Sequence, residues 1–217
     1  MEEKTSELYM LIFSIKESKQ EIIKKSLEEN KEKIISNSGL KHLNLYESLR
    51  GDCDIIGWVS ADDPSNILSF LKVLKTIIDG KGEIVHSFHS IYQRSPYLKN
   101  SLKIEEQIQN SRKKYIIAYP MSKSNDWYIL PYEDRKRIMD EHIRTAMTDP
   151  NNKDILSYTT YSFGIGDQEF VVIYETDSLY SWMKVTEKLR EVESRKWIIK
   201  ETPILTGYAI MYFFLLF

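Results

Sequence analysis

The chain has 217 residues, 42% apolar and 29% charged, enough to bury a core in one large domain or two small ones. Its formal net charge of −2 argues against nucleic acid as a partner. The single cysteine, Cys53, excludes an internal disulfide, suits a reducing, cytoplasmic setting, and reads as a small buried strand residue. The charged start, Met1-Glu-Glu-Lys4, carries no leader pattern. The apolar end, Tyr208 to Phe217, is too short for a helical membrane span, which needs ~20 residues. It reads as a buried strand or a subunit contact.

In chain order, Leu8 to Ile15 predicts a strand, and Ser18 to Ile35 an amphipathic helix carrying Ile22, Ile23, Leu27, Ile34 and Ile35. His42 to Leu49 predicts a strand, Arg50-Gly-Asp52 a turn, and Asp54 to Val59 the returning strand. A helix starts at Asp62-Asp-Pro-Ser65, with Pro64 in its first turn, and ends at Gly80-Lys-Gly82. Glu83 to Tyr92 closes this set as a strand. The order then recurs. Tyr115 to Pro120 is a strand and Pro131 to Met147 a helix, with Glu133 and Asp134 in its first turn, where the helix dipole favours carboxylates. Ile155 to Phe163 and Glu169 to Glu175 are strands joined by the turn Gly164-Ile-Gly-Asp167. Thr176-Asp-Ser178 caps a helix running to about Ser194, and Trp197 onward is the last strand.

The turns Gly51-Asp52 and Gly166-Asp167 lie 115 residues apart, and the helix caps Asp63 and Asp177 lie 114 apart. Matching element order with matching offsets predicts duplication. The expected fold is α+β: two tandem ferredoxin-like βαββαβ halves with antiparallel sheets, the dimeric α+β barrel type. Residues 1–99 form the first half, 100–114 a charged linker, and 115–217 the second half with the candidate site.

Among the four histidines, His42 starts a strand and reads as exposed. His86 and His89 alternate to opposite faces of one strand, so they cannot jointly hold a metal. His142 continues the stripe Ile138, Met139, His142, Ala146 and faces inward. A lone inward histidine is more often a core residue than a ligand. No Cys/His cluster or calcium loop is present, so zinc and calcium cages are not expected. A single imidazole with an open side is instead how heme iron is often held. Such a ligand needs a partner on its other ring nitrogen. Glu193 extends the stripe Leu179, Trp182, Met183, Thr186, Leu189 at spacing four and is the candidate, with a solvated helix end as the competing reading. Finally, period two places Tyr119, Met121 and Lys123 on one face of a strand end that Pro120 confines to an edge or bulge. A phenol, a thioether and an ammonium there suit a ring carrying carboxylates, although an ordinary strand end has the same pattern.

Tyr119-Pro-Met-Ser-Lys123, Trp127-Tyr-Ile-Leu-Pro131 and Glu141-His142, in that order, resemble the chlorite dismutase family and, within it, the coproheme decarboxylase branch. Ser162-Phe-Gly-Ile-Gly-Asp167 and Leu189-Arg-Glu-Val-Glu193 match more loosely, and Arg50-Gly-Asp-Cys-Asp54 and Ser95-Pro-Tyr-Leu98 weakly. The resemblance implies a heme cofactor, coproheme or protoheme b, and a ring pentamer of identical subunits. It implies His142 as the iron ligand with Glu193 behind it, Tyr119 as the redox tyrosine, and Lys123 holding a propionate beside Met121 and Trp127. The implied reaction uses hydrogen peroxide to convert two propionates of coproheme to vinyls with loss of carbon dioxide.

Chlorite dismutases of this family carry an arginine on the open side of the heme. The matching place falls at or near Ser157, and no arginine occurs from Thr145 to Leu189, so chlorite breakdown is disfavoured. The competing expectations are a heme-handling protein with weak peroxidase activity and a duplicated α+β domain that binds no heme. Arg112, Lys113 and Lys114 are further basic candidates near Tyr119 in the chain, in a segment that more often is simply solvated.

Overall fold

A computed structural model describes residues 7–18, 21–93, 97, 108 and 113–210. Strand β1 (Leu8–Glu17) pairs antiparallel with β3 (Ile55–Ala61) and β4 (Gly82–Tyr92), and β2 (His42–Ser48) pairs with β3. This set runs β4-β1-β3-β2. The strands β5 (Tyr115–Lys123), β6 (Leu156–Tyr161), β7 (Phe170–Thr176) and β9 (Leu205–Ala209) run in the corresponding order, β9-β5-β7-β6. The short β8 (Ile198–Lys200) adds to the far end of β5, which makes two strands of the expected last one.

The two half-sheets close into one barrel, as the expected α+β barrel type has it. β4 joins β6 at Ile91–Tyr161, and β2 joins β9 from Tyr46–Ala209 onward. Each half-sheet alone would end in two open edges of unpaired backbone groups, and edge-to-edge pairing satisfies them. Closure also explains why β1 is apolar on both faces. Leu8, Met10 and Ile12 point into the barrel against Trp58 and Tyr158, while Leu11, Phe13 and Ile15 point outward beneath helices. Inside the barrel the Tyr46 and Tyr158 hydroxyls both donate to the buried Glu175 carboxylate, at 3.2 Å each, so a strand of each half is tied to one acceptor.

Three helices cover the first set of strands. The expected single helix over Ser18–Ile35 is two, α1 (Ile22–Glu29) and α2 (Lys31–Ser38). They break at Asn30, whose side-chain amide donates to the Ser26 carbonyl and so competes with helical pairing. α3 (Pro64–Ile78) starts as expected: Asp63 accepts from the Ser65 N–H at 2.7 Å and Pro64 occupies the first turn. α3 lies on β1 and β3, where Phe13, Phe70 and Leu74 fill the space completely. The Phe13 ring occupies the place of a Cβ at Gly57, 2.0 Å from it. Gly57→Ala is therefore expected to destabilise the protein by about 1–3 kcal/mol or more through overpacking, measurable by urea unfolding. His42, expected on the surface, is buried: its Nδ1 contacts Ser60 Oγ and its ring packs edge-on against Trp58.

The second set of strands carries a short α4 (Asn125–Ile129), α5 (Tyr132–Thr148) and α6 (Leu179–Leu189). α5 is so polar that only Ile138 is buried. It packs on α6 and on the 3₁₀ turns Pro150–Asn152 and Glu193–Trp197 rather than flat on the sheet. A gap remains between α5 and the outer face of β5, β6 and β7, and it holds the site. Most of the linker, including Arg112, residues 95, 96 and 98 of the Ser95-Pro-Tyr-Leu98 segment, and tail residues 211–217 lie outside the described residues. Lys113 and the Lys114 N–H both bind the Asp177 carboxylate at the cap of the last helix.

Candidate functional site

The gap is a cavity of about 260 Å³, slightly smaller than the ~300–1,000 Å³ usual for small-molecule sites. Its chemistry comes from His142 and Arg135 on α5, Lys123 on β5, Trp127 on α4, Thr159 on β6 and Ser194 on the 3₁₀ turn, with Met121 also on its wall. Thus four of the expected residues, Met121, Lys123, Trp127 and His142, are brought together. Among the described residues no three His, Cys, Asp or Glu side chains gather as a metal cage.

His142 opens on the cavity, and its Nδ1 lies 3.2 Å from Ser194 Oγ. That leaves Nε2 available to a ligand. Burial, with the Lys123 charge adding, holds the imidazole below its ordinary pKa and so in the neutral form a metal requires. Glu193 does not fill the supporting role expected of it. Its carboxylate is held by Arg137 at 2.9 Å and Lys196 at 3.7 Å on the polar outer surface, and Arg137 keeps its pKa low. The physical reason is the helix end. α6 stops at Leu189, and Val192 is extended and buried, so spacing four does not carry across to residue 193. The next residue, Ser194, is buried and turned inward instead.

Lys123 ends β5 and lines the cavity with Met121, where it is 8% exposed; the register shift beside it leaves Ile199 of β8 unpaired. Its Nζ sits 3.4 Å above the Trp127 ring and 3.8 Å from Met139 Sδ. Burial lowers its pKa to about 8, opposed by Glu169 and reinforced by Arg135. Glu169 Oε2 accepts from the Lys123 N–H at 2.7 Å and the Tyr128 hydroxyl at 2.6 Å, which fixes this corner. Trp127 is 3% exposed and packs on Trp197.

The lysine also sets a pH dependence. Between pH 8 and 10.5 the unfolded chain keeps the proton that folded Lys123 has lost, so stability rises with pH across that window. The difference in unfolding free energy between wild type and Lys123→Met is expected to move in favour of wild type by about 1–3 kcal/mol from pH 7.5 to 10. Parallel pH profiles for the two proteins would contradict a buried, titrating Lys123.

Tyr119 and Ser157 are not on the cavity wall. Tyr119 shares the face of Met121 but lies deeper, stacked on Tyr174 with ring centroids 6.1 Å apart and packed near Leu179 and Trp182 of α6. Burial, with Tyr174 adding, raises its pKa well above the ordinary phenol value. Ser157 is the register partner of Tyr174 and is exposed. Thr159 and Tyr161, two and four residues further along the same face, line the cavity. The period-two alternation carried that signal, since any register error on this face comes in steps of two. Arg135 had a signal too: it stands seven residues before His142, on the same helix face.

The profile of the chlorite dismutase family matches residues 15–210. This chain belongs to the chlorite dismutase family. The coproheme decarboxylase of Mycolicibacterium smegmatis is 28% identical over 181 residues, covering 80% of this chain and 75% of that protein. The crystal structure of a candidate chlorite dismutase designated TA0507 is 40% identical, with a TM-score of 0.87, covering 94% of this chain and 95% of that one. A variant of the chlorite dismutase of Candidatus Nitrospira defluvii shares the fold at 19% identity and a TM-score of 0.79, over 95% and 92% of the two chains. The family match takes in the second half up to residue 210, the first half from residue 15 on, and the cavity residues from Lys123 to Ile198. The arginine in this family member's cavity comes from the helix of His142 and not from β6. Among the described residues, no helix is long and apolar enough to cross a membrane.

Proposed function

We propose that the cavity takes an iron porphyrin through His142 and that the chain is a peroxide-dependent oxidoreductase acting on coproheme, its product being protoheme. The observation that carries this reading is the His142 imidazole: neutral, anchored at Nδ1 by Ser194, and open at Nε2 to a cavity that also holds a buried ammonium. The name of the Mycolicibacterium relative supports coproheme as the substrate. These residues fit the group. A neutral imidazole is the ligand form, Trp127 and Tyr161 offer flat apolar walls, and Lys123 offers a counter-charge for a carboxylate. Bound iron porphyrin supplies the oxidising equivalent that peroxide delivers.

The chain's own groups then have separate tasks. With iron on Nε2 the ring proton would sit on Nδ1, 3.2 Å from Ser194 Oγ, which would then accept it and hold that tautomer. Lys123 holds a propionate at the β5 end. Tyr119 is the one-electron donor. Because its buried phenol stays protonated, it would give up a proton together with the electron, beside the Tyr174 hydroxyl, and regain both as a hydrogen atom taken from the propionate side chain that then loses carbon dioxide. Assembly of identical subunits into a ring, a cytoplasmic setting and descent of the two halves from one duplicated unit belong to the same proposal.

Adding coproheme and then peroxide to the purified protein is expected to give a shifted Soret band, followed by a mass loss of one carbon dioxide and two hydrogens from each of two propionates. A second reading, heme binding without turnover, is favoured by the β6 wall, whose described cavity residues are Thr159 and Tyr161 where chlorite dismutases carry an arginine. A Soret shift with no mass loss selects it.

A further inference from the structure

Arg135 has no task in the assignments above. It leaves α5 on the same face as His142, two turns and about 10 Å earlier along the axis. Its side chain lines the cavity close enough to Tyr97, Tyr128 and Lys123 for its charge to be felt by each. Its Nε is buried and meets no acceptor among the described residues. The neighbouring Lys123 ammonium rests on the Trp127 ring and Met139 Sδ, and the Glu169 oxygen closest to this corner is already engaged by the Lys123 N–H and Tyr128. Two cations, one buried and one half-buried, therefore share this wall with one neighbouring carboxylate, Glu169, and the buried Arg135 Nε is left over. Buried charge is costly without a counter-charge and hydrogen bonds, and repulsion between like charges adds to the cost. A carboxylate entering the cavity answers both, and the fork of a guanidinium suits it better than a point charge does.

We propose that Arg135 and Lys123 form a two-cation clamp for one carboxylate arm of the ligand, and that Arg135 makes the cavity selective for porphyrins with a free carboxylate at that position. This rests on the porphyrin reading above. It extends that reading from the iron to the rim of the ring, and it assigns selectivity to the helix that also carries His142.

The test uses metal-free coproporphyrin, so that iron ligation plays no part, and its tetramethyl ester, both followed by fluorescence in the same dilute non-ionic detergent. Wild type is expected to prefer the free acid, and added salt to erode that preference. Arg135→Gln is expected to weaken free-acid binding about tenfold to hundredfold and to leave ester binding unchanged. Arg135→Lys, which keeps the charge but loses the fork, is expected to fall between them and gives a second, milder probe of the fold. Equal free-acid binding by wild type and Arg135→Gln overturns the clamp, as does an equal loss of acid and ester, which marks a structural role. If wild type binds coproheme with a His142-dependent Soret shift and Arg135→Gln is unaffected, only the clamp falls. If wild type binds none of these porphyrins, the porphyrin reading falls and takes the clamp with it.

Discussion

His142→Ala is expected to abolish the coproheme Soret shift and to weaken coproheme binding by more than the roughly 10–100-fold that loss of a supporting residue costs at a metal site. The loss has two sources. The only imidazole lining the cavity is removed, and Ser194 Oγ loses its partner. Ser194→Ala should fall at the mild end, about tenfold, because the imidazole remains but its tautomer is no longer fixed. Glu193→Gln should leave coproheme binding unchanged, since the carboxylate lies on the outer surface with Arg137 and Lys196. Titration of the three variants with coproheme separates the serine from the glutamate as the group behind the histidine. A large loss in Glu193→Gln with none in Ser194→Ala would reverse the assignment.

Tyr119→Phe is expected to leave coproheme affinity nearly intact, because the hydroxyl lies off the cavity wall. Decarboxylation should drop by more than about a hundredfold, the low end of what a positioned proton-transferring group contributes. Product masses after a fixed dose of peroxide report this directly. Normal vinyl formation by Tyr119→Phe would remove Tyr119 from the mechanism and direct attention to the cavity phenols Tyr128 and Tyr161. Tyr174→Phe is a useful companion. It keeps the ring stacked on Tyr119 and Trp182 while removing the hydroxyl beside the Tyr119 phenol, so a partial loss of rate there would show that the proton leaves by that route.

Much of this arrangement was legible in the residues. Period-two alternation placed Met121 and Lys123 together, and the α5 stripe turned His142 inward, because both signals act within a single element. The turn and cap offsets anticipated two sets of strands with the same order. What was not legible depends on contacts between elements. The expected α+β barrel type is found, but which edges close it, β2 with β9 and β4 with β6, is recorded in no local pattern. Glu193 failed because a stripe was extended past a helix end that is set by the burial of Val192. The place read as at or near Ser157 is on the right strand and face, and the residue of that face on the cavity wall is Thr159, one step of the strand repeat further on. Arg135 was passed over because an arginine in the first turn of a polar helix has the same pattern whether it is solvated or buried. The gap above it exists only because α5 stands off the sheet.

The contrast between the halves has the same origin. In the first, the counterparts of α5 are α1 and α2, which bring Ile23, Leu27 and Ile34 into the buried core. In the second, α5 offers the sheet little apolar surface, so the corresponding space stays open and is lined by groups able to bind a ligand. Site and scaffold thus share one barrel, and the difference lies in how much apolar surface each covering helix brings.

The central claim is that His142 ligates the iron of a porphyrin in this cavity. Resonance Raman spectroscopy of the reduced coproheme complex, prepared with ordinary and with ¹⁵N-labelled histidine, tests it most directly. The expected result is an iron–imidazole stretching band that shifts with the label and is absent from His142→Ala. A complex with no label-sensitive band, or a band that survives in His142→Ala, would contradict the claim.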